Sequence, residues 1–156
     1  MEYNKQLYFE DVNIGDFAIS PGRTITESDV VQFAALTGCY DQIHTDAEFA
    51  LNSFAGQRVA HGLIGTCYAS GLYSRTLLSM ALQEQMKAFA ELTWKFKGPI
   101  LIGDTIHVKQ EIVDKIDKKP ESDAGKLIYQ VTVYNQRNEV IQVGTKHILI
   151  RKRPKE

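Results

Sequence analysis

Within six positions the chain carries Cys39, Asp41 and His44, and further on His61 and Gly62 stand at the head of an apolar stretch. An unperturbed imidazole titrates near ~6.5, which suits His44 to acid–base work around neutrality. A carboxylate beside it would hold its tautomer and share its proton, and Asp41 is the nearest in sequence. Asp41 has a second reading, because aspartate favours turns and caps loops. A free thiol such as Cys39 or Cys67 packs as a small buried apolar group or, in an activating pocket, acts as a nucleophile or redox-sensitive group. Backbone N–H groups at a helix N-terminus face growing negative charge, and Gly62 has no Cβ to block approach to them. These parts amount to a base, a carboxylate and an oxyanion donor.

Several elements must position them. Thr26 with Asp29 three residues later has the form of a capping box and predicts a helix that ends at Gly38. "TDAEFALNS" predicts a short helix capped by Thr45. A long helix is expected from His61-Gly62 to about Gln83. Gly62, Gly65 and Ala69 fall on one nearly bare face that can approach another backbone, with Leu63, Cys67, Ser70, Gly71 and Ser74 opposite. Its apolar residues go almost all round, which predicts burial on most faces. The second half alternates as strands: "ELTWKFKGP" places Leu92, Trp94 and Phe96 on one face and Lys95 and Lys97 on the other. "DTIHVKQEIVDKI", "KLIYQVTVYNQ" and "EVIQVGTKHILI" continue the pattern, and residues 114–126, with Pro120 and Gly125, read as an exposed linker. Strands after a buried helix predict an α+β fold with an antiparallel sheet wrapped around that helix.

Composition narrows the function. The 156 residues, 44% hydrophobic and 24% charged with net charge −1, are those of one globular domain. Neither nucleic acid nor an anionic membrane has an electrostatic claim on it, and the basic residues 151–155 read as a solvated end. No apolar run is long enough to span a bilayer, and the polar, acidic start is unlike a signal peptide. Two cysteines without a CxxC pair, and four histidines without HExxH spacing, predict a reducing cytoplasm, no disulfide and no metal site.

Five segments carry a family likeness: "YFEDVNIGD", "RTITESDVVQFAALTG", "IHTDAEFA", "VAHGLIG" and "FKGPILIGDTIHV". In this order and spacing the chain resembles the MaoC-like (R)-specific enoyl-CoA hydratase/dehydratase family from about Phe9 to Ile150. The resemblance implies a single hotdog domain over residues 1–156 and a site in which Asp and His of an Asp-x-Asn-Pro-x-His loop activate water. Here His44 is the histidine, Cys39 stands at the aspartate, Asp41 at the asparagine and Gln42 at the proline. Cys67 occupies a position that is often serine in the family, and His61-Gly62 match its "HG" pair.

The implied reaction adds water across a 2-enoyl thioester, with His44 and Asp41 catalytic and Cys39, Cys67, His61 and Gly62 lining the pocket. The ligand is an acyl-CoA as substrate, with no other cofactor. Positioned acid–base groups contribute about 10²–10⁴-fold each, so a thiol at the aspartate position weakens hydration unless Asp41 substitutes. A hotdog thioesterase and a non-catalytic acyl-CoA-binding protein are the alternatives. Lys95 and Lys97 are a solvated face or a hold on CoA phosphates. Uncovered sheet edge and helix surface predict a homodimer or a dimer of dimers.

Overall fold

Thr26 and Asp29 start the first helix by the reciprocal bonds their spacing predicts. In the computed structural model, which describes residues 6–117, 119 and 121–154, Thr26 Oγ1 accepts from Asp29 N at 3.3 Å and Asp29 Oδ2 accepts from Thr26 N at 2.7 Å. Helix α1 (Glu27–Thr37) ends at Gly38, whose φ of 75° closes the last turn. Pro120 and Lys155 lie outside the described residues.

The predicted short helix is two turns of helix, α2 (Gln42–Thr45) and α3 (Ala47–Leu51). Its cap is Asp46, which accepts from Phe49 N at 2.9 Å. Thr45 instead donates its hydroxyl to the carbonyls of Tyr40 and Asp41. The long helix is also divided. Helix α4 (Gly62–Ser74) stops before Thr76, which is extended, donates to Tyr73 O at 2.8 Å and caps α5 (Leu77–Leu82) through Ser79 N. A 3-10 turn, Gln83–Gln85, follows. A capping threonine ends one helix and begins the next.

Strands β1 (Phe17–Ile19), β2 (Arg23–Thr24), β3 (Met86–Phe96), β4 (Thr105–Ile116), β5 (Ala124–Tyr134) and β6 (Val140–Arg151) form an antiparallel sheet. The order is β1-β4-β5-β6-β3, with β2 also on β4. The expected linker is shorter than its charges predict, because Ile116 pairs with Lys126 and Asp114 with Ile128. Alternate residues of β4 and β5, among them Ile106, Ile112, Leu127 and Val131, pack on Ile64 and Leu72 of α4. The α+β architecture expected from the residue pattern is present.

Gly65 is what lets α4 sit so close. A Cβ there would lie 2.5 Å from Ile100 Cδ1 and 2.6 Å from the Gln142 amide. The bare face therefore meets side chains, not another backbone. Gln142 is fully buried, donates to Gly62 O at 2.8 Å and accepts from Trp94 Nε1 at 2.9 Å, tying the helix head to β6 and β3. Gly65→Ala is expected to cost about 1–3 kcal/mol by overpacking this contact. Urea unfolding checks it, and an unchanged midpoint would contradict the packing.

The opposite face of α4 corrects the expectation of burial on most sides: Leu63, Cys67, Ser70, Gly71 and Ser74 are exposed in the single chain. Strand β3 is an edge. Leu92 and Phe96 share a face with Trp94 as predicted, yet remain 42% and 53% exposed. Lys95 and Lys97 are exposed as well.

Candidate active site

Four segments converge on the head of α4. Gly38 turns the chain out of α1 and delivers Cys39 and Asp41; α2 then carries His44. The segment before α4 is held by Ala60 N donating to Ile100 O at 2.8 Å and by a bridge between Val59 and Leu101. The turn supplying those partners depends on Gly103, with φ of 97°, and on buried Asp104. Asp104 accepts from Leu101 N at 2.9 Å and Gln136 Nε2 at 2.8 Å. The Gly-Asp pair thus builds the support beneath the site. Helix α1 is fixed to α4 by Tyr68, whose hydroxyl donates to Asp29 at 2.6 Å. Burial would raise the Asp29 pKa, but hydrogen bonds from Tyr68, Thr26 and Arg23 outweigh it and hold the carboxyl at about 2.

His44 and His61 stack, with ring centroids 3.9 Å apart and 29° between planes. His44 Nδ1 lies 2.8 Å from Val59 O, and His61 Nε2 lies 2.9 Å from Cys39 O. A carbonyl only accepts, so each of these nitrogens carries the proton of the neutral ring. The other nitrogens, His44 Nε2 and His61 Nδ1, then hold the lone pairs. Buried His61 has its pKa lowered by desolvation first; the Cys39 carbonyl opposes this, and the neighbouring His44 adds to it. A neutral His61 beside His44 spares the pair like-charge repulsion. The Cys39 thiol donates to Asp41 Oδ2 at 3.6 Å, a sulfur-length contact that puts the carboxylate at the edge of the cluster. Asp41 precedes α2 but makes no side-chain capping bond.

The structure thus brings His44, His61, Cys39, Asp41 and Gly62 together. Cys67 is exposed on α4 six residues past His61 and Cys39 is half-buried, which corrects the reading of both cysteines as buried. Sequence reasoning missed the Val59 carbonyl that orients His44, and Gln142 beneath Gly62. A main-chain acceptor has no side-chain signature. Gln142 is buried on the face of β6 that also holds Gly144 and Lys146, while Ile141, Val143 and Leu149 have the opposite parity, so alternation gave no signal for it.

At the other end of α4 a cavity of about 450 Å³ is lined by Ser70, Tyr73, Gln110, Tyr129 and Lys146 among others. Lys146 is 8% exposed, with its ammonium 4.1 Å from the Tyr73 ring centre. Burial lowers its pKa from 10.5 to about 8. Between those values the unfolded chain holds a proton that the folded chain has released, so stability rises with pH across that window. Lys146→Met is expected to abolish this rise and to stabilise the protein at pH 7 by about 1–4 kcal/mol. Denaturation at pH 7 and pH 10 measures both; an unaltered pH slope in the variant would contradict it.

Known proteins resemble this chain in sequence and in fold. The family model described as MaoC like domain matches residues 14–135. A 3-hydroxybutyryl-CoA dehydratase of Methylorubrum extorquens is 37% identical over 113 residues, 72% of this chain and 68% of that protein. An (R)-specific enoyl-CoA hydratase of Rhodospirillum rubrum is 30% identical over 112 residues, covering 72% and 74%. The crystal structure of a monoamine oxidase regulatory protein from Archaeoglobus superposes with a TM-score of 0.89 at 32% identity, covering 99% of this chain and all of that one. The sheet wrapped on α4 is the hotdog fold, and the chain belongs to the MaoC-like dehydratase family.

Proposed function

We propose that this protein hydrates 2-enoyl-CoA thioesters, and dehydrates the 3-hydroxyacyl products, as a cytoplasmic enzyme of fatty-acid metabolism. The observation that carries the reading is His44 at the head of α4, with Nδ1 on Val59 O and Nε2 left as the lone-pair nitrogen, without a hydrogen bond among the described residues. His44 Nε2 takes a proton from the water that attacks C3, and a proton is returned to C2. First-turn N–H groups of α4 receive the thioester oxygen as it becomes an enolate. Asp41 serves as the carboxylate, reaching the cluster past the Cys39 thiol. No cofactor beyond the CoA of the substrate enters these steps.

Relatives named as a 3-hydroxybutyryl-CoA dehydratase and an (R)-specific enoyl-CoA hydratase support this class of reaction. The test is purified protein with crotonyl-CoA, following the enoyl absorbance and free thiol together. Loss of absorbance without thiol release is the expected result. Thiol release without hydration would make the protein a thioesterase, and tight binding with neither reaction a carrier of acyl-CoA.

The working unit is a homodimer, or a dimer of dimers built from it. Edge strand β3, with exposed Phe89, Leu92 and Phe96, and the open face of α4 around Leu63 are the surfaces that a second copy covers. Scattering at micromolar concentration is expected to give at least twice the mass of one chain. A mass equal to one chain would contradict the assembly.

A further inference from the structure

The thiol at position 39 gives the site a donor set that a carboxylate would not. One donor atom from each of Cys39, His44 and His61 lies within 4.8 Å of the other two. Both imidazoles have one nitrogen on a backbone carbonyl, Val59 O for His44 and Cys39 O for His61. That is the outer-shell bond that metal-binding histidines make, and it aims the remaining lone pair at the ion. His61 is 3% exposed, and its Nδ1 is buried with no hydrogen-bond partner among the described residues. A buried nitrogen lone pair without a donor is a position waiting for one. Nothing in the linear spacing of residues 39, 44 and 61 resembles a ligand motif; the fold makes the cluster.

We propose that Cys39, His44 and His61 form a three-ligand site for a thiophilic divalent transition ion such as Zn²⁺, with the fourth position left to water or Asp41. Metal bonds of about 2.0–2.3 Å place tetrahedral donors roughly 3.3–3.7 Å apart, so the cluster closes by about one ångström. Half-buried Cys39 and His44 make that movement around fixed His61. The thiol loses its proton to solvent as the sulfur–metal bond forms, and both rings bind as neutral donors. A bound ion takes the His44 lone pair, so the metal inhibits hydration; that consequence rests on the function proposed above, while the site itself does not.

Chelator-stripped full-length protein titrated with Co²⁺ tests the site without any acyl-CoA. The expected result is one Co²⁺ per chain, a thiolate-to-metal band in the near ultraviolet, strong visible bands of tetrahedral geometry, and displacement of both by Zn²⁺. Cys39→Ser removes the thiolate band and weakens binding at least tenfold, and His44→Gln weakens it by a similar factor. Cys67→Ser leaves the spectrum unchanged. Because His61→Gln risks the fold, Cys39→Ser at a half-exposed position is decisive, with circular dichroism to show that it is folded. A Co²⁺ spectrum without the thiolate band, binding unaltered in Cys39→Ser, or a band lost in Cys67→Ser would overturn the proposal.

Discussion

His44→Gln is expected to lower kcat for crotonyl-CoA hydration by at least about a hundredfold while leaving the chain folded. Glutamine keeps a polar side chain with an amide N–H donor at position 44, in place of the imidazole whose Nδ1 meets Val59 O. What disappears is a nitrogen able to take a proton from water. The stack on His61 is lost as well, but His61 keeps its bond to Cys39 O and its place at the head of α4. The loss should therefore fall on kcat, with KM changed far less, because the α4 N-terminus and the pocket walls stay in place. Steady-state kinetics with matched circular dichroism measures it. Full turnover in the variant would place the chemistry in another part of the molecule.

Cys39→Asp combined with Asp41→Asn is expected to raise hydration at least about tenfold over wild type. The pair restores the Asp-x-Asn order of the family loop. Residue 39 already meets His61 through its carbonyl, so the backbone that holds the new carboxylate is in position. The single change Cys39→Asp should give a smaller gain. It sets two carboxylates where thiol and carboxylate now lie 3.6 Å apart, and like charges at that range resist shared ionisation. Asp41→Asn alone should lower activity, since it removes the carboxylate available to the wild-type site. Equal rates in all four proteins would show that no carboxylate in this loop assists His44.

Local signals in the sequence were read correctly where one short-range interaction decides the structure. Thr26, Asp29 and Gly38 bound α1 because a capping box and a left-handed residue act within one turn. In β4 and β5 the alternation expected of these segments is present for the same reason: each side chain's face follows from its parity. The misreadings arose where two local partners compete. Thr45 and Asp46 could each have capped α3, and the carboxylate prevailed because Thr45 turns its hydroxyl back to Tyr40 O and Asp41 O. Thr76 reads as one more residue of a long helix until its hydroxyl is seen serving both Tyr73 O and Ser79 N. Cys67 is exposed on α4, while His44, Asp41, Cys39, His61 and Gly62, also named from the sequence, lie together in the candidate site. Its acceptors were not legible, because the carbonyls of Val59 and Cys39 are common to every residue type. The convergence of Cys39, His44 and His61 depends on α1, α2 and α4 meeting, which no spacing records.

Crotonyl-CoA turned over in heavy-oxygen water, with the products weighed by mass spectrometry, tests the central claim most directly. The account requires 3-hydroxybutyryl-CoA with one labelled oxygen, its thioester intact, formed by wild type and lost in His44→Gln. Labelled crotonate with free CoA, or crotonyl-CoA recovered unchanged from excess protein, would contradict it.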